Sequence, residues 1–221
     1  MNIWLALTFI FALLEAVAVS KNLPKLEYIA KPGVLVYLFL WLYFSTNLQG
    51  DTFWFGVGLL FALLGDVILL NPSNTMFLFG LVAFLFTHIF YITGFKGELV
   101  TGSAWSLLLV VFLAINATRL LRRIIGAMRA KGESGLTIPV MIYGIIISMM
   151  LYGGLSTLYD PAWKTSAALL VSLGALLFWT SDLILAWNKF VSPIKNGTMW
   201  NITLYYLGQI GLIAGVISQF R

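Results

Sequence analysis

Eight runs of roughly 17 to 25 mainly apolar residues follow one another along the chain, with only short polar or Gly/Pro breaks between them. A helical run of that length matches the hydrocarbon thickness of a bilayer, and in lipid each backbone N–H and C=O has to be satisfied within its own segment. The expectation is an all-α integral membrane protein, a bundle of about eight transmembrane helices forming a single domain over residues 1–221. The runs cover residues 2–19, 33–48, 53–70, 75–95, 103–121, 137–156, 163–187 and 199–220. The second, "GVLVYLFLWLYFSTNL", is short and aromatic, and a re-entrant segment is its alternative. Ala16-Val17-Ala18 superficially matches a signal-peptidase site, but no Lys or Arg precedes the apolar run, so it reads as a retained span.

With 61% of residues hydrophobic and 10% charged, nearly all the mass belongs in the bilayer, which excludes a soluble catalytic or nucleic-acid-binding domain. The net charge of +5 therefore concerns topology. There are no cysteines, so thiolate nucleophiles, disulfides and Cys-based metal sites are excluded. The motifs of zinc hydrolases, serine lipases and phosphate loops are absent too, and nothing calls for a cofactor, a metal or an obligate protein partner. Three glycosylation sequons, at Asn116, Asn196 and Asn201, fall in spans or on the basic side and are read as chance.

The odd-numbered connections carry Lys21, Lys25, Lys31, Arg119, Arg122, Arg123, Arg129, Lys131, Lys189 and Lys195; the other side has Lys96, Lys164 and Arg221. The positive-inside rule then puts the odd connections in the cytosol and both termini outside, in what reads as a bacterial inner membrane. "RLLRRIIGAMRAKGE" becomes a cytosolic loop that sets topology.

An ionisable residue inside a span costs a few kcal/mol by insertion scales, so it needs a partner, a wet cavity or a task. Glu15, Asp66, Asn116 and Asp182 stand near the inner ends of spans 1, 3, 5 and 7, each about 6 to 8 Å inside the boundary at 1.5 Å per residue. Span 8 carries Asn201, Tyr205 and Gln209 on one face at i, i+4 and i+8, with Tyr206 beside them. Its Gly208, Gly211 and Gly215 suit close helix packing. Gly65 next to Asp66 leaves room for either a substrate or a neighbouring helix. His88, the sole histidine, lies about 20 Å from the cytosolic side by the same count, roughly 12 Å deeper than the aspartates, so direct contact is not expected without tilt or a late helix start. "LFWTSDLILAW" echoes "LFALLGDVILLN", which is consistent with a parallel internal repeat.

"LLFALLGDVILL", "GLVAFLFTHIFYITGF", "GALLFWTSDLILAWNKF" and "TLYYLGQIGLI", in this order, resemble the YhhN-like lysoplasmalogenase family of polytopic membrane proteins. The resemblance implies hydrolysis of the vinyl ether bond of lysoplasmalogens, releasing a fatty aldehyde and glycerophosphocholine or glycerophosphoethanolamine. A lysophospholipid substrate and surrounding membrane lipids are the partners it implies. Carried over by resemblance, the site residues are Asp66, His88, Asp182, Asn188, Tyr205, Tyr206 and Gln209.

The residue types suit that chemistry on independent grounds. Vinyl ether hydrolysis begins with proton transfer to carbon, and water then captures the oxocarbenium ion, so an acid and a base are needed. Burial disfavours the charged form of a carboxyl, so one of two aspartates can keep its proton while the other is ionised, as in glycoside hydrolysis. Asp66 and Asp182 are the expected catalytic pair, with the division of roles open. Glu15 is placed to tune them, and Tyr205, Tyr206 and Gln209 to hold the reacting oxygen or water. Asn188 and Lys189 sit at the mouth, where a polar head group arrives, and His88 is a deeper relay or an orienter. The rival reading is a small-solute or proton-coupled transporter or channel using the same carboxylates.

Overall fold

The computed structural model describes residues 2–95 and 104–221. Lys96 and residue 103, the expected start of the fifth span, lie outside the described residues. Eight helices follow in order: α1 Ile3–Ser20, α2 Pro24–Thr46, α3 Thr52–Leu69, α4 Asn74–Gly94, α5 Ala104–Ala130, α6 Thr137–Ser156, α7 Thr165–Ala186 and α8 Gly197–Phe220. A 3-10 turn, Ser134–Leu136, leads into α6, and a π turn, Trp187–Val191, continues α7. Among the described residues, seven helices are long and apolar enough to cross a membrane, α5 being the exception. The chain is an integral, multi-pass membrane protein.

The ends of the helices follow from local chemistry. The Asn2 side chain accepts from Trp4 N–H at 3.0 Å and Ser73 Oγ accepts from Met76 N–H at 3.1 Å, each satisfying a donor that the first turn leaves open. Asn47, left-handed at φ 51°, closes α2, a conformation Asn tolerates better than most residues. Pro193 drives the residue before it out of the helical region, and Ser192 is extended at φ −158°, ψ 150°. The helix therefore persists to Val191, with Ser192 N–H closing back on the Trp187 carbonyl at 3.1 Å.

Two boundaries differ from the sequence reading. Helix α2 starts at Pro24, where the fixed φ of proline suits a first turn, so Lys25 and Lys31 are helical residues and not linker. Pro32, which suggested the later start, is absorbed inside the helix, at the cost of the bond that its nitrogen would have made to the Tyr28 carbonyl. Helix α5 runs on to Ala130, so most of "RLLRRIIGAMRAKGE" is helix and not loop, as its Arg, Leu, Ala and Met content favours.

Helices α3 with α4 and α7 with α8 are the two most closely packed pairs. Between α7 and α8 the approach is backbone to backbone: a β-carbon at Gly208 would stand 2.7 Å from Phe178 N and 2.9 Å from Gly174 O. One at Gly215 would stand 2.8 Å from the Ala167 carbonyl. Gly65 has a packing reason too, since a β-carbon there would meet the Phe84 ring of α4 at 2.7 Å. The neighbouring helix, not a substrate, takes up that space. Leu35, Leu38, Leu42, Phe55, Leu59, Phe178 and Leu212 fill the centre, while Leu13, Ile29, Phe112 and Ile138 are exposed on the outer faces, where a bilayer covers them.

Gly208→Leu should therefore lower the melting temperature in detergent sharply, because backbone atoms cannot move aside and overpacking typically costs about 1–3 kcal/mol or more. Gly126→Ala, in α5 with nothing within 4 Å of the new carbon, should leave it unchanged or raise it slightly.

Candidate active site

Short turns at one end of the bundle bring together the end of α3, the starts of α2 and α4, and the π turn after α7. A cavity of about 390 Å³ opens there, and all eight helices contribute to its lining. Its deeper wall is largely apolar, with Phe84, Leu121, Ile147 and Trp179 among the lining side chains, and its polar groups gather around two aspartates.

Asp66, on α3, is almost fully buried. Its Oδ2 accepts from the Tyr205 hydroxyl of α8 at 3.0 Å, and its Oδ1 lies 3.9 Å from Lys31 Nζ of α2. Asp182, on α7, has a side chain 12% exposed. Its Oδ2 accepts from the Tyr143 hydroxyl of α6 and lies 3.6 Å from His88 Nε2 of α4. The Tyr143 oxygen is in turn 3.0 Å from His88 Nε2. With the tyrosine proton given to Asp182, that contact assigns a proton to Nε2 of the histidine. Each carboxylate is thus held by a tyrosine from another helix, and both line the same cavity within electrostatic reach of each other.

The arrangement is crossed. The aspartate of the α3–α4 pair is held from α8, and the aspartate of the α7–α8 pair is approached by His88 from α4. Phe178 lies between the two halves, its ring centre 4.9 Å from that of His88 and 5.2 Å from that of Tyr205.

The position of His88 corrects the depth count. Asp182 was measured from Trp187, but the π turn carries the helix to Val191, which places the carboxylate about 13 Å from the end. The remaining difference of several ångströms is bridged by the side chains of Asp182, Tyr143 and His88. Asn116 does not join the polar layer; its Nδ2 donates to the Phe112 carbonyl of its own helix at 2.8 Å.

Of the other expected residues, Asn201 lines the cavity, while Gln209, Tyr206, Glu15 and Asn188 fall around it. Gln209 Oε1 accepts from the Tyr91 hydroxyl at 2.7 Å, bracing α4 against α8 behind Tyr205. Tyr206 packs on Tyr205 with ring centres 5.1 Å apart, and its buried hydroxyl has no hydrogen-bond partner among the described residues. Glu15 is completely buried, and neither of its oxygens has such a partner. Asn201 is tied to Ser181 across α7 and α8, with Nδ2 donating at 2.9 Å to the carbonyl and at 2.8 Å to the hydroxyl. Asn188 is engaged elsewhere than at the mouth: its Oδ1 accepts from Ile194 N–H at 2.8 Å, closing the turn between α7 and α8.

Comparison with known proteins places the chain in a family. The model of the YhhN family matches residues 26–216. The chain belongs to the YhhN family. Over 196 residues it is 29% identical to the Mus musculus protein named lysoplasmalogenase TMEM86B, a match covering 86% of this chain and 74% of that one. The Sus scrofa protein of the same name is 31% identical over 176 residues, or 80% and 65% of the two chains. Lysoplasmalogenase TMEM86A of Bos taurus is 30% identical over 165 residues, or 74% and 65%. The chain thus spans about two thirds to three quarters of the length of these relatives. No solved structure matches it.

Two residues of this YhhN site escaped the sequence reading. Lys31 counted as a boundary charge because Pro32 suggested a linker. Tyr143 stands alone in "VMIYGIII", without a polar stripe to mark it. Its depth was the available signal, since about 9 Å into α6 is close to the level of the carboxylates.

Asn188→Ala should cost about 1 kcal/mol, the worth of one hydrogen bond, seen as a melting point lowered by a few degrees. Ligand affinity of the folded variant should be unchanged, whereas a head-group contact at Asn188 would weaken it.

Proposed function

We propose that this chain hydrolyses the vinyl ether bond of lysoplasmalogens, with Asp182 as the general acid and Asp66 as the general base. The observation that carries the reading is the pair of carboxylates on opposite helices of one amphipathic cavity, each fixed by a tyrosine hydroxyl. The names of the relatives support the same substrate class.

The two environments divide the roles. Asp66 has an ammonium at 3.9 Å and a hydroxyl donor at 3.0 Å, both of which suit an ionised carboxylate. Asp182 has no lysine or arginine at ion-pair distance among the described residues, and with Tyr143 donating to Oδ2 we assign Oδ1 as the oxygen that delivers the proton in the reaction. His88 acts as the positioning residue that orients Tyr143.

Asp182 gives its proton to the outer alkene carbon, and the ether oxygen stabilises the resulting oxocarbenium ion. Asp66 takes a proton from water as the oxygen bonds to that cation's carbon, forming a hemiacetal. Asp182 then accepts the hemiacetal hydroxyl proton while Asp66 returns its own to the departing glycerol oxygen. One water is consumed, an aldehyde and an alcohol leave, and both carboxyls are back in their starting forms. The apolar wall suits the hydrocarbon tail. A transport reading asks for a polar path beyond the aspartates, where Phe178 is packed between His88 and Tyr205.

Purified wild type given a lysoplasmalogen in detergent should release fatty aldehyde, and Asp66→Asn and Asp182→Asn should each lower the rate by about 100-fold or more. A folded wild type that yields none would overturn the substrate assignment, and full activity in either variant would overturn the paired mechanism.

The basic residues clustered at the cavity end support a cytosolic opening with both termini outside. Because the chain has no cysteine, single cysteines at Asn71 and Asn196 report cleanly on topology. They should resist an impermeant thiol reagent added outside intact cells and react once the membrane is opened.

A further inference from the structure

We infer that the π turn Trp187–Val191 builds a phosphate-binding subsite at the cavity mouth, where the Lys189 ammonium holds the phosphodiester of a lysophospholipid. This assignment rests on the hydrolase reading for its substrate, and it adds a determinant of specificity that the aspartates do not supply.

Two cations line the cavity, Lys31 and Lys189. Lys31 lies deep and is paired with Asp66, whereas Lys189 makes no ion pair among the described residues. It is nonetheless fixed in place. Its Nζ donates to Asn74 Oδ1 at 3.0 Å and rests 4.3 Å from the centre of the Phe77 ring. An ammonium has three donors, so a ligand at the mouth can still be met by a donor whose position is largely set.

The surroundings of the turn are cationic as well. The Arg123 guanidinium of α5 lies 5.1 Å from the centre of the Trp187 ring, and Lys131 Nζ donates to the Val191 carbonyl at 3.3 Å. Neither makes an ion pair with a carboxylate among the described residues. Three positive groups gathered on one five-residue turn repel one another, and a bound anion relieves that repulsion.

The spacing fits the substrate. Lys189 follows Asp182 by seven residues, about 10 Å of helical rise between their α-carbons, and both side chains line the one cavity. The glycerol unit that joins a vinyl ether to its phosphate is short enough to lie within this cavity between the two residues. A phosphate on Lys189 therefore places the alkene beside Asp182. Tail and ether alone do not make this contact, so the subsite favours a lysophospholipid over the neutral 1-alkenylglycerol.

The test compares wild type, Lys189→Ala and Lys189→Arg on 1-alkenyl-glycerophosphoethanolamine and on 1-alkenylglycerol with the same tail. Lys189→Ala should raise KM for the phospholipid about tenfold or more with kcat within about twofold, and leave the kinetics on alkenylglycerol unchanged. Lys189→Arg should keep a KM near that of wild type. An unchanged KM for the phospholipid, or an equal rise for both substrates, overturns the subsite; the equal rise would place the lysine on bulk lipid head groups or on the fold. Binding of lysophosphatidylcholine, which has no vinyl ether, keeps this result separate from the hydrolase reading. Weaker binding in Lys189→Ala, with monoacylglycerol binding unchanged, supports the subsite even in a protein that releases no aldehyde. Loss of both, or of neither, contradicts it.

Discussion

A carboxylate in the hydrocarbon core is tolerated only when other groups surround it, and this bundle is organised around meeting that demand twice. Asp66 draws Tyr205 from α8 and Lys31 from α2, while Asp182 draws Tyr143 from α6 and His88 from α4. Neither cluster can form within one helix pair. The same contacts that make the aspartates affordable hold the two halves of the molecule in register and leave both carboxylates facing one cavity.

Glycine-lined contact between α7 and α8 supplies the rigid support. With α8 seated on α7 at Gly174 and Gly208, Tyr205 reaches Asp66 from the next turn toward the cavity end, and Asn201 ties α8 to Ser181, the residue before Asp182. Phe178, from the same interface, packs against both His88 and Tyr205. One tight helix pair thus positions parts of both polar clusters and the aromatic wall between them, so a change at a glycine far from any ligand should disturb the site as well as the fold.

The helical membrane architecture was legible in the apolar runs, because run length and bilayer thickness are tied directly. The aspartates were legible for a related reason: a charge is conspicuous where charge is expensive. What escaped was the company they keep. Tyr143 is unremarkable in an apolar run until the packing of α6 against α4 and α7 turns it toward Asp182. Lys31 reads as a boundary charge until Pro32 proves to lie inside the helix. The depth of His88 was misjudged because the turn after Trp187 adds length that no apolar count includes. Asn188, beside the mouth in sequence, is consumed by the turn it closes, while its neighbour Lys189 lines the cavity. Distances along a helix are thus readable from sequence, and partners across helices are not.

The central claim is that two carboxylates divide proton donation and acceptance around a vinyl ether, and hydrolysis in heavy water tests it most directly. The rate should fall relative to ordinary water, and the aldehyde, trapped at once by reduction, should carry one deuterium on the carbon next to its carbonyl. An aldehyde without that deuterium, or one released equally fast in both solvents, would contradict rate-limiting protonation of carbon and with it the roles assigned to Asp66 and Asp182.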